Sequence, residues 1–462
     1  MRKKALLAVM MAMVLLLSGC ALIVKDEAVD NATEIIRLGD KVITKEEVNK
    51  QVLNELAETE YYYSMYGYSY DVSDPANIAS AQEAAVDALK KDLVLKAKAT
   101  ELGLDVMTDE ENAQIQEDAK SNYDSGLDYV KNYMLEDTEG MDEEALLKAA
   151  EEKLTEMGVS VETYIESATN TKIDDKLKEY IYKDVAVTDE EISAEYDSKV
   201  EADKTTYAEK AGSWASAANN GSTLYYTPAG IRRVKQILIK FKDEDQTAIT
   251  DAKQKVTDAN SAVSTAQAKI DAAQKTLEEE GDSDELKAAK EQAQADLDAA
   301  TKDLEEANAA LEAANKAVEE ATNKAFENID ADTDAVLAKL DEEGADWQAL
   351  MDEFNQDPGM KNNEKGYAVA ADMTGFDAAF VEAAMALAKP GDHSGKVKGT
   401  SYGYYIIRYE GDEAEGPTAL EAVKDTISSS LLSTKKTEAY NAQVEKWVEE
   451  SGIKVDLNAL KN

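Results

Sequence analysis

The sequence predicts an α+β protein, predominantly helical, with an antiparallel coiled-coil hairpin inserted into a small α/β region. Three observations carry this. Aromatic residues make up only 6% of 462 residues while Ala-rich stretches run long, a composition suited to extended helix. Apolar residues recur every seven positions over residues 249–325. Short alternating apolar segments, the period of strands, lie on both sides of that stretch. The length exceeds what one compact core holds, so two or more domains are expected.

The heptad stretch is the most regular part of the chain. Ile249, Val256, Val263, Ile270 and Leu277 are seven apart, and Ala252, Ala259, Ala266 and Ala273 lie three after the first four. Past Gly281-Asp282-Ser283 a second seam follows: Leu297, Leu304, Leu311, Val318 and Ala325, interleaved with Ala300, Ala307, Ala314 and Ala321. Alanine in every second core position lets two helices approach closely. A Gly turn between equal arms folds them back as a hairpin spanning 243–326, each arm of about 30 residues reaching about 45 Å.

N-terminal to the hairpin, residues 35–44 alternate as a strand with a turn at Gly39-Asp40. Thr44 with Glu47 three residues on forms a capping box, and Val48, Val52 and Leu56 continue at helical spacing. Thr108 with Glu111 and Thr188 with Glu191 repeat the device. Further apolar-periodic helices at 84–102, 143–157 and 161–182 make 35 to about 205 one helical unit. Residues 210–230, rich in Ser, Asn and Gly, read as a loop. Around the hairpin lie a strand at 232–241, helices at 334–343 and 346–354, a loop at Asp357-Pro358-Gly359, a strand at 367–370, a helix at 376–387 and a strand at 404–409. That order builds an antiparallel sheet with helices beside it. An amphipathic helix at 420–450 closes the chain.

The amino terminus reads as an export signal. Arg2-Lys3-Lys4 is a basic n-region, and residues 5–17 form an uncharged run too short to span a bilayer. The run ends in Leu17-Ser18-Gly19-Cys20, which resembles a lipobox: cleavage before Cys20 and lipidation of its thiol would tether the chain to a membrane. Cys20 is the only cysteine, so no disulfide forms within the chain.

Charge and composition exclude several function classes. Asp and Glu outnumber Lys and Arg 95 to 50, and a net charge of −45 argues against nucleic acid as a partner. His393 is the only histidine, so neither a Ser-His-Asp site nor a multi-histidine metal site can be assembled. Its loop position reads as surface. Asp330, Asp332 and Asp334 imitate the start of an EF-hand loop, but Ala335 stands where Gly is needed and Asp341 where Glu is, so the aspartates read as helix caps. The cluster Tyr61, Tyr62, Tyr63, Tyr66, Tyr68 and Tyr70 is read as packing within the helical unit, the alternative being anchors for unfolded chains.

Several short motifs agree in order and spacing with one family: Val-Lys-Gln-Ile-Leu-Ile at 234–239, Asp-Trp-Gln-Ala-Leu at 346–350, Asn355-Gln356-Asp357-Pro358, the helix from Phe376 to Leu387, Lys389-Pro390-Gly391-Asp392-His393-Ser394-Gly395, and Tyr402-Gly403-Tyr404-Tyr405-Ile406-Ile407. With the lipobox, the segments around Gly39 and Thr188 and the C-terminal helix, the chain resembles the PrsA and SurA foldases, which are built around a parvulin prolyl isomerase. Only the hairpin lies outside the resemblance.

The resemblance implies a signal peptide at 1–19, a membrane-proximal linker at 20–34, a discontinuous helical chaperone domain at 35–230 plus 415–462, and a parvulin-like α/β domain at 231–242 plus 327–414. It implies Phe376 and Phe380 as the walls of a proline pocket, with Asp357, Gln236 and Tyr405 as the polar groups at the imide. Asp357 matches the family's Asp or Cys. Gln236 and Tyr405 replace the family's two histidines, Phe376 stands where Met is frequent, and a paired glycine has shrunk to Gly366. No cofactor and no metal are expected. The partners implied are unfolded or partly folded exported proteins, the membrane through lipidated Cys20, and a second copy of the chain in a homodimer. Three functions stay open: a membrane-anchored extracytoplasmic foldase with prolyl-isomerase activity, a non-catalytic holdase keeping the parvulin fold, and a coiled-coil surface spacer or adhesion module.

Overall fold

The computed structural model describes residues 27–460 except 136, 137, 139, 282 and 362. The expected signal peptide, Cys20 and residues 20–26 of the expected linker lie outside the described residues. No described helix is long and apolar enough to cross a membrane. By contacts the chain forms two units, Met1–Thr188 with Ser428–Asn462, and Asp189–Ile427.

The first unit opens with α1 (Glu27–Asn31) and the antiparallel hairpin of β1 (Glu34–Leu38) and β2 (Lys41–Thr44). Gly39, at φ 58°, supplies the left-handed turn residue between them. Helix α2 (Lys45–Met65) starts as predicted. The Thr44 hydroxyl accepts from Glu47 N, and the Glu47 carboxylate accepts from Thr44 N at 2.8 Å. Val48, Val52 and Leu56 bury against Ile35 and Ile36 and against α3 (Pro75–Leu102). Helix α4 (Asp109–Tyr133) carries the second capping box, Thr108 with Glu111. It packs with α5 (Glu143–Glu156) through Leu127, Val130 and Leu154, and with α6 (Val161–Tyr182) through Tyr123 edge to face on Tyr164.

The tyrosine cluster departs from expectation. Tyr61, Tyr62, Tyr63, Tyr66 and Tyr68 are exposed at the end of α2 and in the turn beyond it, and only Tyr70 is drawn against the core. The apolar face of α2 ends at Leu56, so the rings that follow have no buried stripe to continue.

In the second unit, α7 (Asp189–Tyr207) begins where the spacing around Thr188 places it. The next stretch corrects the expected loop. Helix α8 (Ala211–Asn219) forms there because tertiary bonds hold it: Trp214 Nε1 donates to the Tyr226 carbonyl (2.7 Å), and the Asn219 amide brackets the Ala368 backbone with two 2.8 Å bonds. Strand β3 (Tyr226–Thr227) follows, then β4 (Arg232–Lys240), after which the chain leaves into two long helices, α9 (Asp243–Glu278) and α10 (Asp284–Leu340).

These helices fold back on one another around 279–283, with Ala252, Ala259, Ala266 and Ala273 on α9 and Ala293, Ala300, Ala307 and Ala314 on α10 as the buried row. The second arm is longer than expected. α10 runs through 326 to Leu340 without a break, since nothing between Ala325 and Leu340 interrupts helical geometry, and the separate helix at 334–343 is its last turns. Asp330 and Asp334 therefore sit inside a helix and are not caps: both pair with Lys396 Nζ at 2.7 Å. At the root of the hairpin the buried Asp245 carboxylate accepts twice from Asn328 Nδ2 (2.9 and 2.8 Å).

The chain returns as α11 (Trp347–Phe354), β5 (Tyr367–Val369), α12 (Ala378–Ala386), β6 (Val397–Lys398), β7 (Gly403–Asp412) and β8 (Gly416–Pro417). The sheet order is β5-β4-β7-β6, every pair antiparallel, with Gln236 opposite Ile407 and Leu238 opposite Tyr405. Strand alternation splits the core. Ile237, Ile239, Tyr404 and Ile406 face the hairpin root and α11, while Val234, Leu238, Tyr405 and Ile407 face α12 and α8. His393 is less superficial than its loop suggested: Nε2 lies 3.4 Å from Asp341, and its ring lies 6.3 Å from that of Trp347. Helix α13 (Leu420–Glu450) and β9 (Lys454–Val455) close the chain, β9 pairing with β1. The protein is thus predominantly helical with small sheets. Its contact boundaries at 188/189 and 427/428 place α7, α8, β3 and β8 with the four-stranded sheet.

Candidate functional site

The α12 face of the sheet gathers the expected residues. Gln236 lies at the middle of β4, where alternation turns it inward, and it is 6% exposed. Past β5, which pairs only with Arg232, Arg233 and Val234, the edge of β4 is taken up by the loop after α11. Asn355 Oδ1 accepts from Leu238 N (2.9 Å), Gln356 N donates to the Leu238 carbonyl (3.0 Å), and Gln356 Oε1 accepts from Lys240 N (2.7 Å). These bonds continue the ladder with side chains in place of a strand, and they fix the next residue, Asp357, beside Gln236.

Asp357 is half-buried and fully engaged. Its Oδ2 accepts from Gln236 Nε2 (2.7 Å) and from the Tyr367 hydroxyl (2.8 Å), and its Oδ1 accepts from Gly359 N (2.9 Å). The bond to a carboxylate, which only accepts, fixes which end of the Gln236 amide is the nitrogen. Gln236 Oε1 is then a buried acceptor without a partner among the described residues. Gly359 is required by closeness: a Cβ there would come within 2.1 Å of the Tyr367 hydroxyl.

An aromatic wall runs from this carboxylate. Tyr367 and Phe376 are edge to face at 5.3 Å, Phe376 and Phe380 at 5.7 Å, and Phe380 and Tyr405 at 5.3 Å. Phe380 and Tyr405 are buried and Phe376 is half-buried, so the wall opens at Phe376. Burial above all pushes the Tyr405 phenol up to about 12, with the charges of Asp377 and Asp357 adding to the effect. Tyr367 is raised as well, by burial first and then by its bond to Asp357. Both hydroxyls therefore stay protonated and can only donate or accept hydrogen bonds at neutral pH. Arg232 fixes the helix that carries Phe380: its Nη1 donates to the carbonyls of Ala384, Met385 and Leu387 at the end of α12 (2.9, 3.0 and 2.8 Å).

All five expected residues of the unit, Gln236, Asp357, Phe376, Phe380 and Tyr405, thus meet on one face, and Cys20 lies outside the described residues. Tyr367 and Asn355 are additions. Asn355 stands in the quoted motif and could have been singled out there, but nothing local in the sequence links Tyr367 to a carboxylate ten residues earlier.

Over 119 residues the chain is 37% identical to foldase protein PrsA of Clostridium kluyveri, a match covering 26% of this chain and 34% of that protein. Over this stretch the chain is similar to the PrsA foldases. A second match, to foldase protein PrsA of Clostridium botulinum, is 33% identical over 112 residues and covers 24% of this chain and 32% of the relative. Each match spans about a third of the relative's own length. No family model matches the chain. Among solved structures, PrsA of Streptococcus pneumoniae aligns over 93% of this chain and 98% of its own at 13% identity and a TM-score of 0.19. A SurA-like chaperone of Campylobacter jejuni aligns over 72% and 95% at 13% identity and a TM-score of 0.25.

Proposed function

We propose that this protein is an extracytoplasmic foldase, held to a membrane through lipidated Cys20, whose Asp357 site catalyses cis-trans isomerisation of Xaa-Pro bonds in unfolded or partly folded exported proteins. The observation that carries the reading is the oriented Asp357 carboxylate at one end of the wall formed by Tyr367, Phe376, Phe380 and Tyr405. The PrsA likeness supports it independently of geometry.

The reaction makes and breaks no covalent bond. Its barrier, about 18–20 kcal/mol, is the resonance that gives the imide C–N bond its double-bond character. The charge-separated resonance form is favoured by water, so a proline ring seated on Phe376 and Phe380 loses that support. A fixed negative charge beside the imide carbonyl further opposes negative charge on its oxygen and favours the twisted state. In this reading Asp357 supplies the field, Gln236, Tyr367 and Gly359 hold it, and Gln236 Oε1 is an acceptor for an N–H of the bound peptide. Helical segments from both ends of the chain are the proposed holding surface for unfolded clients, within the domain expected at 35–230 plus 415–462.

The test is prolyl exchange followed by NMR on a panel of Xaa-Pro peptides, with the full chain and its Asp357→Ala variant. Acceleration that the variant abolishes supports the isomerase. A second reading, a holdase that keeps this fold only for binding, is favoured by Gln236 and Tyr405 at the positions of the family's histidines. It predicts no acceleration of any peptide together with undiminished protection of an unfolded client from aggregation. Anchoring is checked separately by mass spectrometry of the amino-terminal peptide, which should begin at a diacylglyceryl-modified Cys20.

A further inference from the structure

The tip of the α2–α3 helical hairpin has a composition and a placement that the Asp357 site does not use. Tyr61, Tyr62, Met65, Tyr66 and Tyr68 are 59–69% exposed there, in one short stretch of chain. The rings are held relative to one another: Tyr62 and Tyr66 lie 5.1 Å apart, and Tyr63 lies 5.2 Å from Tyr70, which packs on the core of its unit. The turn is fixed too. Tyr68 N donates to the Tyr63 carbonyl (3.0 Å), Gly67 takes φ 77°, and Asp74 caps α3 through Ala76 N (2.8 Å). A large exposed apolar area on an ordered turn marks an interaction surface.

Charge identifies the partner. Between Lys50 and Lys90 there is no Lys, Arg or His, while Glu58, Glu60, Asp71 and Asp74 flank the rings. Tyrosine faces attract cations, carboxylates add a longer-range field, and phenol hydroxyls bond exposed peptide groups. An anionic membrane or an acidic chain would be repelled by the same groups. We propose that this tip is a docking surface for Lys- and Arg-rich segments of unfolded polypeptide, bound through cation–π contacts to Tyr61, Tyr62, Tyr66 and Tyr68 within an acidic rim. The surface belongs to the other contact unit from Asp357, and it needs no proline in its ligand, so its failure and a failure of the isomerase reading are distinguishable.

The experiment measures binding of a short unstructured fluorescent peptide, alternating Lys with apolar residues and lacking proline, to the full chain by fluorescence anisotropy. The same peptide with Glu in place of each Lys serves as its counterpart. The Lys peptide should bind at least about tenfold more tightly, the preference falling with salt. Replacing the four tyrosines together by Ser should weaken binding about tenfold or more, while replacing them by Phe, which keeps the ring faces, should hold it within about threefold. Charge reversal by Glu58→Lys with Glu60→Lys should weaken the Lys peptide without touching a ring, and it keeps the test decisive should the Ser variant unfold. Equal affinity for both peptides, or unchanged binding in a folded Ser variant, would overturn the proposal. So would capture of phosphatidylcholine vesicles in place of the Lys peptide.

Discussion

Replacing Tyr367 by Phe removes one oxygen and nothing else, which makes it the sharpest probe of how Asp357 is held. The ring keeps its edge-to-face contact with Phe376, and the carboxylate loses one of the three donors it now has. A hydrogen bond to a charged group contributes about 1.5–3 kcal/mol. Asp357 is half-buried and keeps Gln236 and Gly359, so water replaces part of the lost bond and the cost falls at the low end, about 1.5 kcal/mol. In a unit of this size that lowers Tm by about 3–6 °C, read by calorimetry on the full chain. If the same bond also aims the carboxylate in the transition state, prolyl exchange slows by up to about tenfold.

Gln236→Leu sets the contrast. It also removes a donor to Asp357, but it deletes the unpartnered Oε1, whose burial costs about 1–3 kcal/mol. Its net effect on stability should stay within about 1 kcal/mol while activity falls. A Tyr367→Phe protein that melts within about 1 °C of the unchanged chain and exchanges prolines at the same rate would refute the claim that this hydroxyl positions Asp357, as would a Gln236→Leu variant costing more than Tyr367→Phe.

Further outcomes follow from particular contacts. Gly359→Ala drives a methyl into the Tyr367 hydroxyl and should reproduce the Tyr367→Phe phenotype in both calorimetry and exchange. Arg232→Met leaves three carbonyls at the end of α12 without their donor and should destabilise the sheet unit by about 2–3 kcal/mol, measured by urea titration. Glu111, bonded to Lys176 and to Thr108 N, is held at about 2 against 4.5 for the unfolded chain. With the folded value the lower one, its contribution is complete above pH 4.5 and is lost as the pH falls toward 2. Hydrogen exchange in α4 should accelerate over that window, and Glu111→Gln should flatten the response. Ala300→Leu overpacks a fully buried position of the paired helices, at a cost of about 1–3 kcal/mol, with exchange rising in the two arms and not in the sheet.

Much of the architecture was legible because it rests on local rules. The seven-residue spacing from Ile249 to Ala325 identifies the paired helices, since side-chain direction repeats with the backbone. The Thr44–Glu47 and Thr108–Glu111 boxes mark helix starts because both partners lie within one turn. Motif order singles out Gln236, Asp357, Phe376, Phe380 and Tyr405, and their side chains lie on one face of the sheet. Where the reading went astray, the deciding contacts are distant. Residues 211–219 look like a loop by composition and become a helix through Tyr226 and Ala368. Lys396 pairs with Asp330 and Asp334 inside a helix whose local sequence suggested caps.

The sequence by itself therefore determined the helical character, the two long arms, the strand alternation that turns Gln236 inward and the strong negative charge, all set by periodicity and composition. Only the tertiary structure decided that Asp357 meets Gln236 and Tyr367, that one oxygen of Gln236 is left buried without a partner among the described residues, and that Tyr61 to Tyr68 face outward. Those outcomes depend on which segments are packed together, and side-chain bonds between residues up to 121 positions apart leave no periodic trace in the chain.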